Sequence, residues 1–134
     1  MPYEFEVAGT VCASPEEVFD TWMSSEGHSA MTGGLAVIDP REGGTFIAWN
    51  GYINGTTLQL ERPMRIVQSW RTTQFTDDDE DSRIEVVLTA LGGETLVTVH
   101  HSNVPNDHLG YEDGGWEKSY LTPMREYFAA GGPH

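Results

Sequence analysis

Apolar and polar residues alternate from the start of the chain. Tyr3, Phe5 and Val7 fall on one face of the segment Tyr3–Val11 and Glu4 and Glu6 on the other, which predicts a half-buried strand. The period then changes. Ser14-Pro15-Glu16-Glu17 reads as a helix start: Ser14 caps, Pro15 suits the first turn and Glu17 completes a capping box. Val18, Phe19 and Trp22 form the apolar face of this short helix. Ser24–Met31 predicts a further turn or two of helix, stopped at Gly33-Gly34.

No other helical signal follows until the C-terminus. Short strands are predicted at Leu35–Asp39, ended by Pro40, at Gly44–Trp49 and, after Gly51, at Tyr52–Leu60. The Glu61-Arg62-Pro63 turn leads into Arg65–Thr72, with Ile66, Gln68 and Trp70 on one face and Val67, Ser69 and Arg71 on the other. Ser82–Leu91 sets Ile84, Val86 and Leu88 against Arg83 and Glu85, and Gly92-Gly93 turns it back into Thr95–Ser102. Asn103–Glu112 reads as a polar loop. Asp113–Ala129 predicts a closing helix with Trp116, Tyr120, Met124, Tyr127 and Phe128 on one broad face. Pro123 should kink that helix or interrupt its hydrogen bonding. A meander of antiparallel strands must bury one face, and the aromatic helix is the evident cover. The predicted fold class is α+β, one curved antiparallel sheet gripping a long C-terminal helix, with two short helices after the first strand.

Composition narrows the field. At 134 residues the chain has the size of a single domain over 1–134, and such a domain buries roughly two-thirds of its unfolded surface. Seven Lys+Arg against 21 Asp+Glu leave a formal charge of −14, and Lys118 is the one lysine. That field repels phosphate backbones and anionic headgroups, so neither nucleic acid nor membrane is an expected partner. The run Asp77, Asp78, Asp79, Glu80 and Asp81 lacks calcium-loop spacing and reads as a solvated loop tip. One cysteine, Cys12, excludes an internal disulfide and points to a reducing compartment. The N-terminus MPYEFEV has no signal-peptide pattern and no apolar run approaches a membrane span, so the expected location is the cytoplasm.

Several of these segments resemble a known family. Ala13-Ser14-Pro15-Glu16-Glu17-Val18-Phe19 resembles the opening of the START-like, Bet v 1-like superfamily. Gly43-Gly44-Thr45-Phe46, Gly51-Tyr52-x-x-Gly55, Pro63-x-x-Ile66-Val67-x-x-Trp70-Arg71 and Gly115-Trp116 are similar to the family related to the C-terminal domain of the Hsp90 ATPase activator. The resemblance implies a helix-grip fold, in which sheet and helix enclose a mostly apolar cavity. It also brings in Hsp90 as a partner. However, the activator's N-terminal domain, to which the resemblance assigns much of the Hsp90 stimulation, has no counterpart in 134 residues, which weighs against a co-chaperone role. The family offers no agreed catalytic residues to carry across.

On that architecture the expected ligand-binding residues are Trp116, Tyr120 and Met124 as roof, with Phe46, Gln68, Trp70, Val86, Val99 and His101 as floor and walls. An apolar lining with a few polar groups suits a small apolar or amphipathic ligand. His100 and His101 are adjacent in a strand, so they face opposite ways and cannot readily share one ion. Alternation with Val97 and Val99 points His101 inward, where a satisfied core histidine outweighs an acid/base role. Cys12 has no neighbouring cationic motif and is expected to be a small buried thiol. There is no Gly-x-Ser-x-Gly elbow, dinucleotide fingerprint or phosphate loop. His28, His108 and His134 are scattered. No catalytic residue, metal site or cofactor is therefore assigned.

The leading expectation is a small-molecule binding protein without catalysis. An enzyme of the same fold, a cyclase, hydratase or hydrolase on an aromatic or polyketide-like substrate, requires an accessible inward His101 with an orienting partner. An Hsp90-interacting module is the third reading. A homodimer is compatible with the size of the chain, although nothing in the sequence locates an interface.

Overall fold

A computed structural model of the protein describes residues 3–105 and 115–130. The elements run β1 (Tyr3–Val11), α1 (Pro15–Trp22), α2 (Ser25–Thr32), β2 (Val37–Ile38), β3 (Thr45–Ala48), β4 (Ile53–Glu61), β5 (Arg65–Thr72), β6 (Ser82–Leu91) and β7 (Glu94–Val104). A final helix is continuous over 115–129. It is π-wound at Glu117–Leu121 and α-helical, as α3, at Thr122–Ala129. The strands form a seven-stranded curved antiparallel sheet of order β1-β7-β6-β5-β4-β3-β2. This is the helix-grip arrangement: the sheet's inner face closes on the last helix, with α1 and α2 packed beside it.

Local chemistry accounts for the elements. Ser14 Oγ accepts the Glu17 N–H at 3.2 Å and starts α1. Ser24 Oγ does the same for the Gly27 N–H at 3.1 Å and starts α2, which ends at Gly33. Strand alternation places Ile84, Val86 and Leu88 of β6 and Val97, Val99 and His101 of β7 inside, each at most 2% exposed. Register then lines these residues up across the sheet. Ile66, Val86, Val99 and Val7 form one apolar row, and Thr57, Gln68, Ile84, His101 and Phe5 form a second row that carries the interior's polar groups.

Three expectations change. Cys12 is exposed, its thiol bonded to Glu94 Oε2 at 3.3 Å, because alternation that turns Val11 inward turns the next residue out. The expected loop from Asn103 starts later, since Asn103 and Val104 extend β7; its stretch 106–112 lies outside the described residues, as does the expected helix start at Asp113. The interruption expected from Pro123 takes the form of the π-wound segment. Proline has no N–H, and in an α-helix its ring would meet the carbonyl of Ser119, four residues back. Just before it, the Thr122 N–H reaches back five residues to Glu117 O, and the wider turn relieves that clash.

The acidic run is organised from outside. Arg71, at the end of β5, pairs with Asp81 at 2.6 Å and donates to the carbonyls of Thr76 at 2.9 Å and Asp79 at 3.3 Å. Asp77, Asp78 and Glu80 remain exposed.

Candidate functional site

The inner face of the final helix is built from aromatic residues one turn apart. Trp116 and Tyr120 pack with ring centroids 4.9 Å apart and planes tilted by 40°. The series continues through Tyr120 to Trp22 of α1 at 5.0 Å and through Trp116 to Trp70 of β5 at 5.7 Å. Such pairs add about 0.5–1.5 kcal/mol each beyond their buried area. The polar tips of Trp116 and Tyr120 decide the helix's exact placement, because each meets a buried histidine.

His101 is 0% exposed on β7. Its Nδ1 accepts the Trp116 indole N–H at 3.1 Å, and its Nε2 lies 2.8 Å from Ser82 Oγ. The Ser82 hydroxyl gives its single proton to the Trp70 carbonyl at 2.5 Å. Nε2 must therefore carry the histidine proton and donate it to Ser82, which makes the ring neutral with one defined tautomer. Burial, and secondarily the charge of His100, push the His101 pKa down to about 3.

His28 does the same from α2. Its Nδ1 donates to the Trp22 carbonyl at 2.9 Å, so its Nε2 is left to accept the Tyr120 phenol at 2.9 Å. Burial lowers its pKa to about 4, opposed only by the bond to Trp22. Tyr120 is shifted upward by burial and stays a neutral donor. Two uncharged histidines, one from a helix and one from a strand, thus pin successive turns of the C-terminal helix.

Beyond Trp116 the grip opens into a cavity of about 310 Å³. Trp70 and Ile53 contribute from the sheet, Gly115, Trp116, Ser119 and Tyr120 from the helix, and Trp49 and Tyr52 from the turn between β3 and β4. Trp70, Trp116 and Tyr120 are 3–4% exposed and form its inner wall, whereas Tyr52 is 37% exposed and forms an outer lip. Of the residues expected to bind ligand, the structure brings Trp70, Trp116 and Tyr120 to this cavity. Phe46, Gln68, Val86, Val99, His101 and Met124 are packed into the core behind it and do not border it. Gln68 there donates to Thr57 Oγ1 at 3.1 Å and accepts, at 3.5 Å, from the Trp22 indole.

Trp49, the expected end of a strand, shows a different geometry. Trp49, Asn50 and Gly51 have successive φ values of 50°, 61° and 93°. Glycine adopts this region freely and asparagine tolerates it, but for a tryptophan it costs roughly 1–2 kcal/mol. Two hydrogen bonds to Leu35, two residues before β2, hold the turn: Asn50 N–H to Leu35 O at 2.9 Å, and Leu35 N–H to Asn50 Oδ1 at 3.0 Å. Gly34 makes room, since a Cβ there would lie 2.6 Å from Trp49 Cε3. The buried Trp49 indole N–H has no hydrogen-bond partner, a deficit of about 1–3 kcal/mol for a group removed from water.

Chemically the cavity offers aromatic faces and a serine hydroxyl. Among its described lining residues the titratable groups are Tyr52 and Tyr120. Among the described residues no three His, Cys, Asp or Glu side chains gather to hold a metal, and no helix is long and apolar enough to cross a membrane.

Residues 12–129 match the family model described as Activator of Hsp90 ATPase homolog 1-like protein. The chain belongs to that family. The chain is similar to the human Activator of 90 kDa heat shock protein ATPase homolog 1, 26% identical over 124 residues, which cover 91% of this chain and 36% of the human protein. It is 25% identical to the corresponding homolog of Dictyostelium discoideum over 117 residues, 87% of this chain and 30% of that one. The chain thus spans about a third of the length of these curated relatives. Among solved structures, an Hsp90 activator from Plasmodium falciparum superposes with a TM-score of 0.84 at 23% identity, covering 95% of this chain and 96% of that one. At that identity the likeness concerns the fold.

Proposed function

We propose that the protein is a small-molecule binding module that takes a compact, mostly apolar ring compound into the aromatic cavity at the end of the grip. The supporting observation is the cavity itself: about 310 Å³ of space walled by Trp49, Trp70, Trp116 and Tyr120. Ligand pockets span about 300–1,000 Å³, so this one suits a ligand of a few rings at most. Its inner wall is ordered before any ligand arrives, because His28 and His101 fix Tyr120 and Trp116. Preorganisation of this kind lowers the entropy cost of binding. Catalysis by His101 has no support, since both its ring nitrogens are engaged and its side chain has no exposure.

Ligand-induced stabilisation tests the reading. A panel of small aromatic ketones and phenols is screened by thermal denaturation against the protein and against Ser119→Phe, which fills the cavity without touching the histidine bonds. A ligand at a hundred times its Kd adds about 2.7 kcal/mol of stability. The expected result is a set of compounds that raise Tm in the wild type and not in S119F. No stabilising compound, or equal stabilisation of both proteins, would count against the cavity.

The names of the relatives favour a second reading, an Hsp90 partner. It predicts a complex with the host's Hsp90 at on the order of tens of micromolar. Failure to detect one by sedimentation at that concentration would remove it.

A further inference from the structure

The rings that wall the cavity commit their polar hydrogens elsewhere. The Trp116 indole N–H goes to His101 at 3.1 Å, the Tyr120 phenol to His28 at 2.9 Å and the Tyr52 phenol to Gln74 Oε1 at 2.8 Å. None of these acceptors borders the cavity. The Trp49 indole nitrogen is buried as well, so it is not part of the cavity surface. What remains is chiefly ring carbon, from Trp70 of the sheet, Trp116 and Tyr120 of the helix and Trp49 and Tyr52 of the turn, with the Ser119 hydroxyl beside it. We propose that these rings form an aromatic cage for a quaternary ammonium group, and that the ligand is a compact ring compound carrying one. This rests on the cavity being a ligand site.

Three observations select that chemistry. An aromatic ring carries a negative face and attracts a cation held over it, indole most strongly. Here the rings come from three separate parts of the fold, so a cation among them meets several at once. Those that donate a proton to a neutral acceptor are more electron-rich for it. Second, the described lining residues include no carboxylate and no cationic side chain. A primary ammonium brings three donors that need acceptors. A quaternary one brings none, so a wall of carbon leaves no donor unpaired. Third, the chain carries a formal charge of −14, which draws cations towards the cavity mouth and keeps anions away. The cationic residues nearest in sequence to the lining are Arg71 and Lys118, and neither borders the cavity. Arg71 is paired with Asp81 at 2.6 Å, and Lys118 is exposed.

The test compares phenyltrimethylammonium with tert-butylbenzene, two probes of the same shape in which a charged nitrogen replaces a carbon. Each is titrated into the protein at an ionic strength of about 0.15 M. Affinity is read from tryptophan fluorescence, and the probe's methyl protons are followed by NMR. A merely apolar cavity favours tert-butylbenzene, because the cation gives up hydration on entry. The cage reverses that order: phenyltrimethylammonium should bind about tenfold more tightly. Its methyl signal should move upfield, as protons above ring faces do, and S119F should abolish binding of both probes. Equal or tighter binding of tert-butylbenzene, or a cation whose methyl signal does not move upfield, would overturn the inference and leave the cavity reading standing. Cation binding that survives in S119F would place it on the acidic surface and overturn the inference alone. Binding of neither probe would overturn both.

Discussion

The two buried histidines make the stability of the fold depend on pH. His28 and His101 have pKa values lowered from 6.5 to about 4 and about 3. In the unfolded chain both return to the ordinary value, so between pH 6.5 and those lowered values the unfolded state binds more protons. Stability is therefore complete above about pH 6.5 and falls as the pH drops below it. At pH 5 the loss is about 2 kcal/mol for each histidine, roughly 4 kcal/mol together, with 1.36 kcal/mol per pH unit below the unfolded pKa. Domains are stable by about 5–15 kcal/mol, so the effect is large. Asp20, held low by its hydrogen bond to Arg62, acts below the pH range of the assay that follows. Urea unfolding followed by tryptophan fluorescence at pH 7.5, 6.5, 5.5 and 5.0 reads the effect directly. With m of about 1–3 kcal/mol/M the midpoint should fall by roughly 1–4 M across the series. His101→Gln keeps a donor and an acceptor in place without titrating, and it should remove about half of the slope whatever its absolute stability. A midpoint that stays flat down to pH 5, or a slope unchanged in H101Q, would refute the reasoning.

Other consequences are more local. Tyr120→Phe deprives His28 Nε2 of its donor and should cost about 1–3 kcal/mol by denaturant titration, more than the loss of a solvent-exposed phenol. Gly34→Ala sets a Cβ 2.6 Å from Trp49 Cε3, so it should lower stability by about 1–3 kcal/mol and broaden or shift the Trp49 indole signal. Asp20→Asn breaks a bidentate pair with Arg62 whose side chains are 57% and 55% exposed, and should cost less than about 1 kcal/mol in the same assay.

Much of the fold was legible because its signals are local. Alternation in Arg65–Thr72 and Ser82–Leu91 marked both strands to the residue, and the Ser14 cap marked the start of α1. Alternation likewise placed His101 inside and His100 outside. The site was less legible, since it depends on which interior positions the helix leaves uncovered. Gln68, Val86, Val99 and Met124 face the interior as their pattern requires, yet packing fills the space around them. The cavity falls instead at the end of the sheet, where an irregular turn supplies Trp49 and Tyr52. Nothing in the order Trp49-Asn50-Gly51 announces a left-handed tryptophan; Asn-Gly alone hints at positive φ, and only the Leu35 clamp imposes it on the residue before. In the sequence His28 is one of three scattered histidines. Its spacing of three from Met31 put it on the buried face of α2, but its partner Tyr120 lies 92 residues away and no local pattern reports such a pairing.

The most direct test of the binding account is native mass spectrometry of the protein isolated gently from its own host cells. The account predicts a species heavier than the bare chain by one small molecule per chain, retained at low collision energy and missing from S119F. The bare chain alone, or a bound mass that persists unchanged in S119F, would contradict it.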